Sequence, residues 1–188
     1  MQQLIERLRR EARSLGGQLV KVDGFLNHQV DTALLVQAGQ HLARFFASEK
    51  ISKIVTAEAS GIVPAFATAQ SLNIPFIYAR KSRPLTMADN PLCAGVTSRT
   101  RGSAAELFLS REYLAPTDRV LVIDDFLGSG QTAAALGQMV QQSGAHLCAF
   151  AFLVEKVDER GRHTLADFRL PVKTLARLEL TEDGLRVS

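Results

Sequence analysis

The sequence predicts an α/β fold in which helices flank a central, mostly parallel sheet. Continuous apolar runs alternate with helical patterns along the chain, and such runs are typical of strands that are buried on both faces. Polar segments suited to ligand binding follow four of these runs: Glu58–Gly61, Arg80-Lys81, Asp124–Thr132 and Glu155-Lys156. Because ligands of open α/β sheets bind at the carboxyl ends of the strands, these segments predict a ligand site at that edge.

Length and composition favour one globular domain. The chain has 188 residues, of which 46% are hydrophobic, and carries a formal net charge of +3. This charge is spread along the chain, so it suits a small anionic ligand better than a nucleic acid. No apolar run has the roughly 20 residues that a membrane helix needs. Cys93 and Cys148 show neither metal-ligand spacing nor a disulfide framework, so a cytoplasmic location is expected.

The first third of the chain predicts two helices separated by short strands and turns. Apolar residues at helical spacing predict a first helix over Gln2–Leu15, which Gly16-Gly17 ends. Residues 18–29 predict short strands and turns. Asp31 is the expected N-cap of a second helix, because its carboxylate can accept a hydrogen bond from a free backbone N–H.

The middle of the chain predicts a strand, a helix, a strand and a long polar segment. The strand is Lys53–Ala57, and the helix runs to Leu72 with Pro64 in its first turn. A strand over Pro75–Ala79 leads into the segment Arg80–Ala105, which contains a candidate hairpin near residues 92–97. A segment of that length is uncommon in a compact domain unless it has a function.

The last third predicts a second strand–helix–strand unit and a tail. The strand Arg119–Ile123 and a helix over Gln131–Ser143 precede a strand over Leu147–Val154. The tail contains a short helix near residues 161–167 and two strands near residues 172–180 and 184–187.

The stretch that follows the strand Arg119–Ile123 is the main candidate for a binding site. Asp124 and Asp125 precede a loop with Gly128 and Gly130, and a helix follows. A loop for nucleoside triphosphates would need a lysine where Gln131 stands. The spacing of a dinucleotide-binding loop is present, but two carboxylates there would repel a pyrophosphate. A sugar-phosphate site fits better, because carboxylates accept bonds from ribose hydroxyls and a helix N-terminus binds phosphate. A plain strand–turn–helix connection is the simpler alternative.

At these residues the chain resembles the type I phosphoribosyltransferases. The stretch Val120–Thr132 is similar to their signature for phosphoribosyl diphosphate (PRPP). Further segments resemble the bacterial xanthine phosphoribosyltransferase branch of that family: Lys21–Gln29, Lys53–Gly61, Ala79–Lys81 and Val154–Lys156. The resemblance implies a single phosphoribosyltransferase domain with a small hood, formed by residues 16–30 and 156–188. It also implies a homodimer, purine salvage, and a reaction that yields xanthosine 5′-monophosphate (XMP) and pyrophosphate.

The resemblance assigns the PRPP half of the site to four regions. Asp124 and Asp125 would accept the ribose hydroxyls and lie near Mg²⁺, which PRPP itself carries, so no direct protein ligand of the metal is expected. The 5′-phosphate would bind to the loop Gly128, Ser129, Gly130, Gln131 and Thr132. Ser60 and Gly61 would face the pyrophosphate. Lys81 would add a positive charge there, although it could also be one of an exposed basic cluster.

The base half and the long segment are assigned in the same way. Lys156 and Asn27 would bind the xanthine oxygens beside Val20, with Phe126 or Val157 available for stacking; alone, each is an ordinary strand-end or turn residue. Residues 80–105 would form a flexible loop that closes as a lid, or a hairpin that serves only the dimer. A transferase for adenine, hypoxanthine or guanine and a nucleic-acid-binding regulator that senses PRPP remain as alternatives. For the leading assignment, neither nucleic acid nor membrane is an expected partner.

Overall fold

A computed structural model describes residues 1–17, 19–97, 104–182 and 184–188. Within them the strands are β1 (Arg13–Ser14), β2 (Val20–Lys21), β3 (Lys53–Ala57), β4 (Phe76–Ala79), β5 (Leu92–Thr97), β6 (Ala104–Leu109), β7 (Arg119–Leu127), β8 (His146–Lys156), β9 (Val172–Thr181) and β10 (Gly184–Val187). The helices are α1 (Gln2–Glu11), α2 (Thr32–Phe45), α3 (Ile62–Leu72), α4 (Gln131–Ser143) and α5 (Gly161–Leu165). In this part of the chain, no helix is long and apolar enough to cross a membrane.

A six-stranded sheet forms the centre of the described residues, in the order β10-β9-β8-β7-β3-β4. The pairs β4–β3, β3–β7, β7–β8 and β8–β9 are parallel, and only the edge pair β9–β10 is antiparallel. The predicted α/β fold with a mostly parallel sheet is therefore confirmed. In such a sheet the carboxyl ends of β3, β4, β7 and β8 lie together at the same end of the strands.

Two hydrophobic clusters cover the two faces of this sheet, and β7 contributes to both. Leu121 and Ile123 pack with residues of α1, α2 and α3 on one face. Val120 and Val122 pack with residues of α4 on the other. All four side chains are buried. This two-sided burial explains why the strand is a continuous apolar run rather than an alternating one.

The first helix ends earlier than the sequence predicts, and the glycine pair has a different role. Helix α1 stops at Glu11, because Ala12 is extended and the next residues pair with β2. Gly16 and Gly17 have positive φ angles of 91° and 55°, which only glycine adopts at little cost. They form the turn of a hairpin instead of ending a helix. In α2, by contrast, Asp31 accepts from the Leu34 N–H at 3.1 Å, as expected of an N-cap.

Strand β7 continues four residues beyond its predicted end at Ile123. Asp124 pairs with Phe152 and Leu127 with Glu155, so the parallel hydrogen bonds to β8 carry the extended backbone through both carboxylates. Successive residues of a strand point to opposite faces. Asp124 therefore lies on the α4 face and Asp125 on the α2 face, which the sequence analysis did not anticipate.

The last part of the long polar segment contributes to a hairpin. β5 and β6 pair antiparallel, with Leu92 opposite Leu109 and Val96 opposite Ala105. Leu92, Leu107 and Leu109 are buried in the same cluster as α4. The hairpin expected near residues 92–97 is therefore present, whereas residues 98–103 of the expected flexible loop lie outside the described residues.

The C-terminal strands assigned to a hood are hydrogen-bonded into the central sheet. β9 continues it beside β8, and β10 forms its edge. The N-terminal hairpin β1–β2 forms a separate two-stranded sheet. The boundary between core and hood stays a prediction.

Candidate functional site

A cavity of about 590 Å³ lies at the carboxyl ends of the parallel strands. It brings together predicted site residues from four separate segments of the chain. Those in its wall are Ser60, Lys81, Asp124, Gly128, Ser129, Gly130, Gln131, Thr132 and Lys156. The sheet topology thus gathers the polar strand ends into one place, as the sequence analysis predicted.

The loop between β7 and α4 forms one wall of the cavity. Gly130 has a φ of 78° and precedes the first residue of α4, Gln131. A side chain at Gly130 would also collide with the Gly161 carbonyl oxygen, 2.7 Å from the Cβ position. The loop and the first residues of α4 line the cavity, and the first N–H groups of a helix have no acceptor within the helix, an arrangement suited to a phosphate.

Helix α5 supports this loop from behind. The Thr164 hydroxyl donates to the Ser129 carbonyl oxygen at 2.7 Å. Arg162 donates from two nitrogens to the two carboxylate oxygens of the buried Glu155, at 2.8 Å and 2.9 Å. This bidentate pair fixes α5 against the end of β8. Glu155 is thus a structural anchor of α5.

The two adjacent carboxylates have different surroundings. Asp124 borders the cavity, and its pKa is raised well above the ordinary value by burial and then by the charge of Asp125, while Lys81 acts in the opposite direction. Asp125 is only 6% exposed and accepts from the Phe126 N–H at 3.0 Å. Asp125 does not line the cavity, so of the two carboxylates only Asp124 borders it.

The opposite wall is formed by the loop after β3 and the start of the segment after β4. The Glu58 carboxylate accepts from the Lys81 N–H at 2.7 Å and lies 3.8 Å from Arg80 Nε. Ser60 and the exposed Lys81 side chain face the cavity. Gly61 lies behind this wall, where a Cβ would be 2.5 Å from Asp124 Oδ1. Gly61 therefore lets the two loops approach each other.

Lys156, the last residue of β8, also lines the cavity. Its ammonium lies 3.2 Å from the Glu159 carboxylate and 5.4 Å from the centre of the Phe126 ring. Lys156 also lines a second, smaller cavity of about 10 Å³ together with Val20, Leu178 and Leu185. Val20 is therefore close to Lys156 but lies outside the wall of the large cavity.

Asn27 approaches the site through Asp125. Its Nδ2 atom is 3.5 Å from Asp125 Oδ2, the outer limit of a hydrogen bond. Asn27 does not line the large cavity. The predicted residues that the structure leaves outside the cavity wall are Gly61, Asp125, Val20 and Asn27.

Sequence reasoning missed three residues that shape the site. Glu58 was noted in a motif but given no role, although it ties the two loops together. Glu159 lines both cavities, and Thr164 supports the phosphate-type loop. Glu159 and Thr164 stand in a polar tail without a motif, so no sequence pattern signals their positions.

Known proteins resemble this chain over most of its length. The sequence pattern of the phosphoribosyl transferase domain family matches residues 30–173. A xanthine phosphoribosyltransferase of Deinococcus deserti is 46% identical, covering 98% of this chain and 95% of that protein. One of Streptococcus pneumoniae is 42% identical with the same coverage.

A solved structure also resembles the fold. The crystal structure of an adenine phosphoribosyltransferase from Rhodothermus marinus superposes with a TM-score of 0.76 at 25% identity, covering 95% of this chain and 100% of that one.

Proposed function

Because this chain belongs to the phosphoribosyltransferase family, we propose that it joins xanthine to C1 of PRPP and releases pyrophosphate, forming XMP in purine salvage. The observation that carries the proposal is one cavity that is lined both by the loop Gly128–Thr132 and by Lys156. Such a cavity can hold a sugar phosphate and a base side by side. The relatives named for xanthine, at 42–46% identity, support that base.

The 5′-phosphate would bind to the loop and the N-terminus of α4. Backbone N–H groups of Ser129 to Thr132 and the dipole of α4 favour a dianion there. Helix α5 holds the loop in place through Thr164, so the donors are preorganised. Binding of the 5′-phosphate by this loop would fix the position of the ribose relative to the base.

The ribose and the pyrophosphate would lie between Asp124 and Lys81. Asp124 can bond to the ribose hydroxyls from the floor of the cavity. Ser60 and Lys81 face it from the opposite wall and would bind the leaving pyrophosphate. Stabilising the charge that develops on this leaving group is the main electrostatic task of the reaction.

The donor set fits a magnesium ion carried by PRPP. Among the described residues, no group of three or more His, Cys, Asp or Glu side chains could hold a metal alone. Mg²⁺ prefers phosphate oxygens, water and one or two carboxylates, and Asp124 is such a carboxylate beside the proposed pyrophosphate position. When bound, the ion would neutralise part of the pyrophosphate charge.

Xanthine would bind at the Lys156 end of the cavity. The Lys156 ammonium can donate to the O6 carbonyl, and the Phe126 ring offers a stacking surface. We propose that Asp125 and Asn27 complete this end from behind, with the Asn27 amide turning to the O2 carbonyl when the base binds. Val20 would close the pocket beside Lys156.

The long segment and one edge of the sheet support two further proposals. Residues 80–105 would act as a lid over PRPP and exclude water.

A homodimer would form at the β4 edge, where Phe66, Tyr78 and Tyr113 are 54%, 37% and 62% exposed and a cavity of about 280 Å³ opens. Sedimentation analysis of the wild type and Tyr113→Glu tests the dimer, which is expected to dissociate in the variant. A wild-type monomer would contradict it.

A cytoplasmic location is also proposed. The Cys93 and Cys148 thiols are free, which suits a reducing compartment.

A purine panel tests the function directly. The protein would be incubated with PRPP, Mg²⁺ and xanthine, hypoxanthine, guanine or adenine, and pyrophosphate release followed. We expect the highest kcat/KM for xanthine. Activity with adenine alone would instead favour the second candidate, an adenine enzyme, which the fold similarity to the Rhodothermus marinus protein keeps open.

A further inference from the structure

Glu159 occupies the boundary between the proposed phosphate and base positions. Its carboxylate lies 3.2 Å from Lys156 Nζ on the base side. On the phosphate side it contacts Gly128, where an added Cβ would be 2.8 Å from Glu159 Oε2. The side chain is only 12% exposed and borders the large cavity.

The proposed reaction requires a proton acceptor near the base. The imidazole ring of a purine carries one proton, on N7 or N9. When N9 attacks C1 of PRPP while N7 holds that proton, the product ring becomes cationic unless the proton leaves. A carboxylate within hydrogen-bond reach of N7 would meet this need.

The position of Lys156 locates N7. In purines with a carbonyl at C6, the O6 and N7 atoms lie side by side on the same edge of the ring. If Lys156 donates to O6, a group beside its ammonium faces N7. The Glu159 carboxylate is that neighbour, on the side that leads to Gly128 and the sugar phosphate.

The other carboxylates in the described part of the cavity wall have different surroundings. Glu58 accepts from the Lys81 N–H at 2.7 Å on the pyrophosphate side. Asp124 lies behind the ribose position and has a raised pKa. Neither is paired with Lys156. Glu159 is therefore the carboxylate best placed for the base.

We propose that Glu159 is the general base of the reaction. The assignment rests on the proposed function and adds a residue to it. The N9–C1 bond forms as the C1–O bond to pyrophosphate breaks, and that electron pair leaves with pyrophosphate. The N7 proton passes to Glu159 Oε1 or Oε2 and is later released to water. Lys156 holds O6 during this transfer and keeps the ring edge in register with the carboxylate.

The test compares wild type, Glu159→Gln, Glu159→Asp and the control Asp167→Asn. Glutamine keeps the size of the side chain but cannot accept the proton, so kcat with xanthine is expected to fall roughly 10²-fold. The PRPP KM is expected to stay within about twofold, because the substitution should not alter the binding of PRPP. Glu159→Asp should recover part of kcat. Asp167 is exposed and lies outside the site, so Asp167→Asn controls for the loss of one charge.

The split between kcat and the xanthine KM, with rescue by the conservative variant, separates chemistry from structure. In Glu159→Gln the loss should fall on kcat, and in Glu159→Asp it should be partly recovered, while circular dichroism and Tm of both variants match the wild type. An unchanged kcat in Glu159→Gln, or a loss confined to the xanthine KM, would overturn the assignment. A wild type inactive with every purine would instead refute the proposed function.

Discussion

The two proposed halves of the site are built in different ways. The proposed phosphate half comes almost entirely from one stretch, in which β7 leads through Gly128–Gly130 into α4. The proposed base half combines Lys156 at the end of β8 and Glu159 just after it with Val20 of β2 and Asn27, which come from a distant part of the chain. A contiguous site has a sequence signature, because its geometry is set by local backbone conformation. An assembled site depends on how distant elements pack.

The largest loss of activity is expected at the carboxylates of β7, where Asp124 and Asp125 should differ in their contribution to kcat/KM. Asp124→Asn should lower kcat/KM roughly 10²–10³-fold, as removal of one preorganised electrostatic contact typically does. Asp125→Asn makes the same change one residue later on the opposite face, and less than about tenfold loss is expected. Steady-state assays with PRPP and xanthine measure both. Equal losses would mean that both carboxylates touch substrate, and the distinction drawn from strand alternation would fail.

The next effect concerns the base half. Lys156→Ala removes a charged donor worth about 1.5–3 kcal/mol, so kcat/KM for xanthine should fall roughly 10–100-fold. The PRPP KM should change little. Asn27→Ala should cost less, because Asn27 lies outside the cavity wall and must reorient to reach the base. The purine panel, repeated with both variants, measures this.

A control substitution at a second lysine, Lys173, checks that the change in purine preference is specific to Lys156. Lys173→Ala removes a lysine whose ammonium lies over the Phe45 ring, at 4.3 Å from its centre, and should leave the purine preference unchanged. If neither Lys156→Ala nor Asn27→Ala alters that preference, the base-pocket assignment is wrong.

The sequence predicted the fold and the gathering of the loop Gly128–Thr132 into a cavity wall, for physical reasons that the proposed base half does not share. Two-sided burial makes β7 and β8 continuous apolar runs, and the positive φ at position 130 requires a glycine. Both features can therefore be recognised in the local sequence. The end of β7 was misplaced because Asp124 and Asp125 look like loop residues, and only pairing with β8 keeps them extended. Glu159 acquires its position from the packing of its turn against Gly128, which no local pattern records.

A smaller effect follows from the raised pKa of Asp124. A carboxyl with a folded pKa above its ordinary value of 3.8 contributes stability that is present below that value and lost as pH rises through the folded pKa. Asp124→Asn never ionises, so it should be more stable than the wild type at neutral pH and closer to it near pH 4. A difference of about 1 kcal/mol corresponds to roughly 2–4 °C in Tm. Thermal unfolding across this range measures it, and a pH-independent difference would contradict the raised pKa of Asp124.

The smallest effect tests whether the phosphate half is as local as its signature suggests. Thr164 lies in α5, 35 residues beyond Ser129, yet its hydroxyl donates to the carbonyl of that loop residue. Thr164→Val keeps the shape and removes the donor, which should cost about 1 kcal/mol and raise the PRPP KM roughly fivefold. Thr164→Ser retains the hydroxyl and should resemble the wild type. If valine leaves the PRPP KM unchanged, the loop holds its conformation without α5 and the phosphate half is wholly local. If the xanthine KM rises equally, α5 supports both halves, and the contrast between them is weaker than the chain order implies.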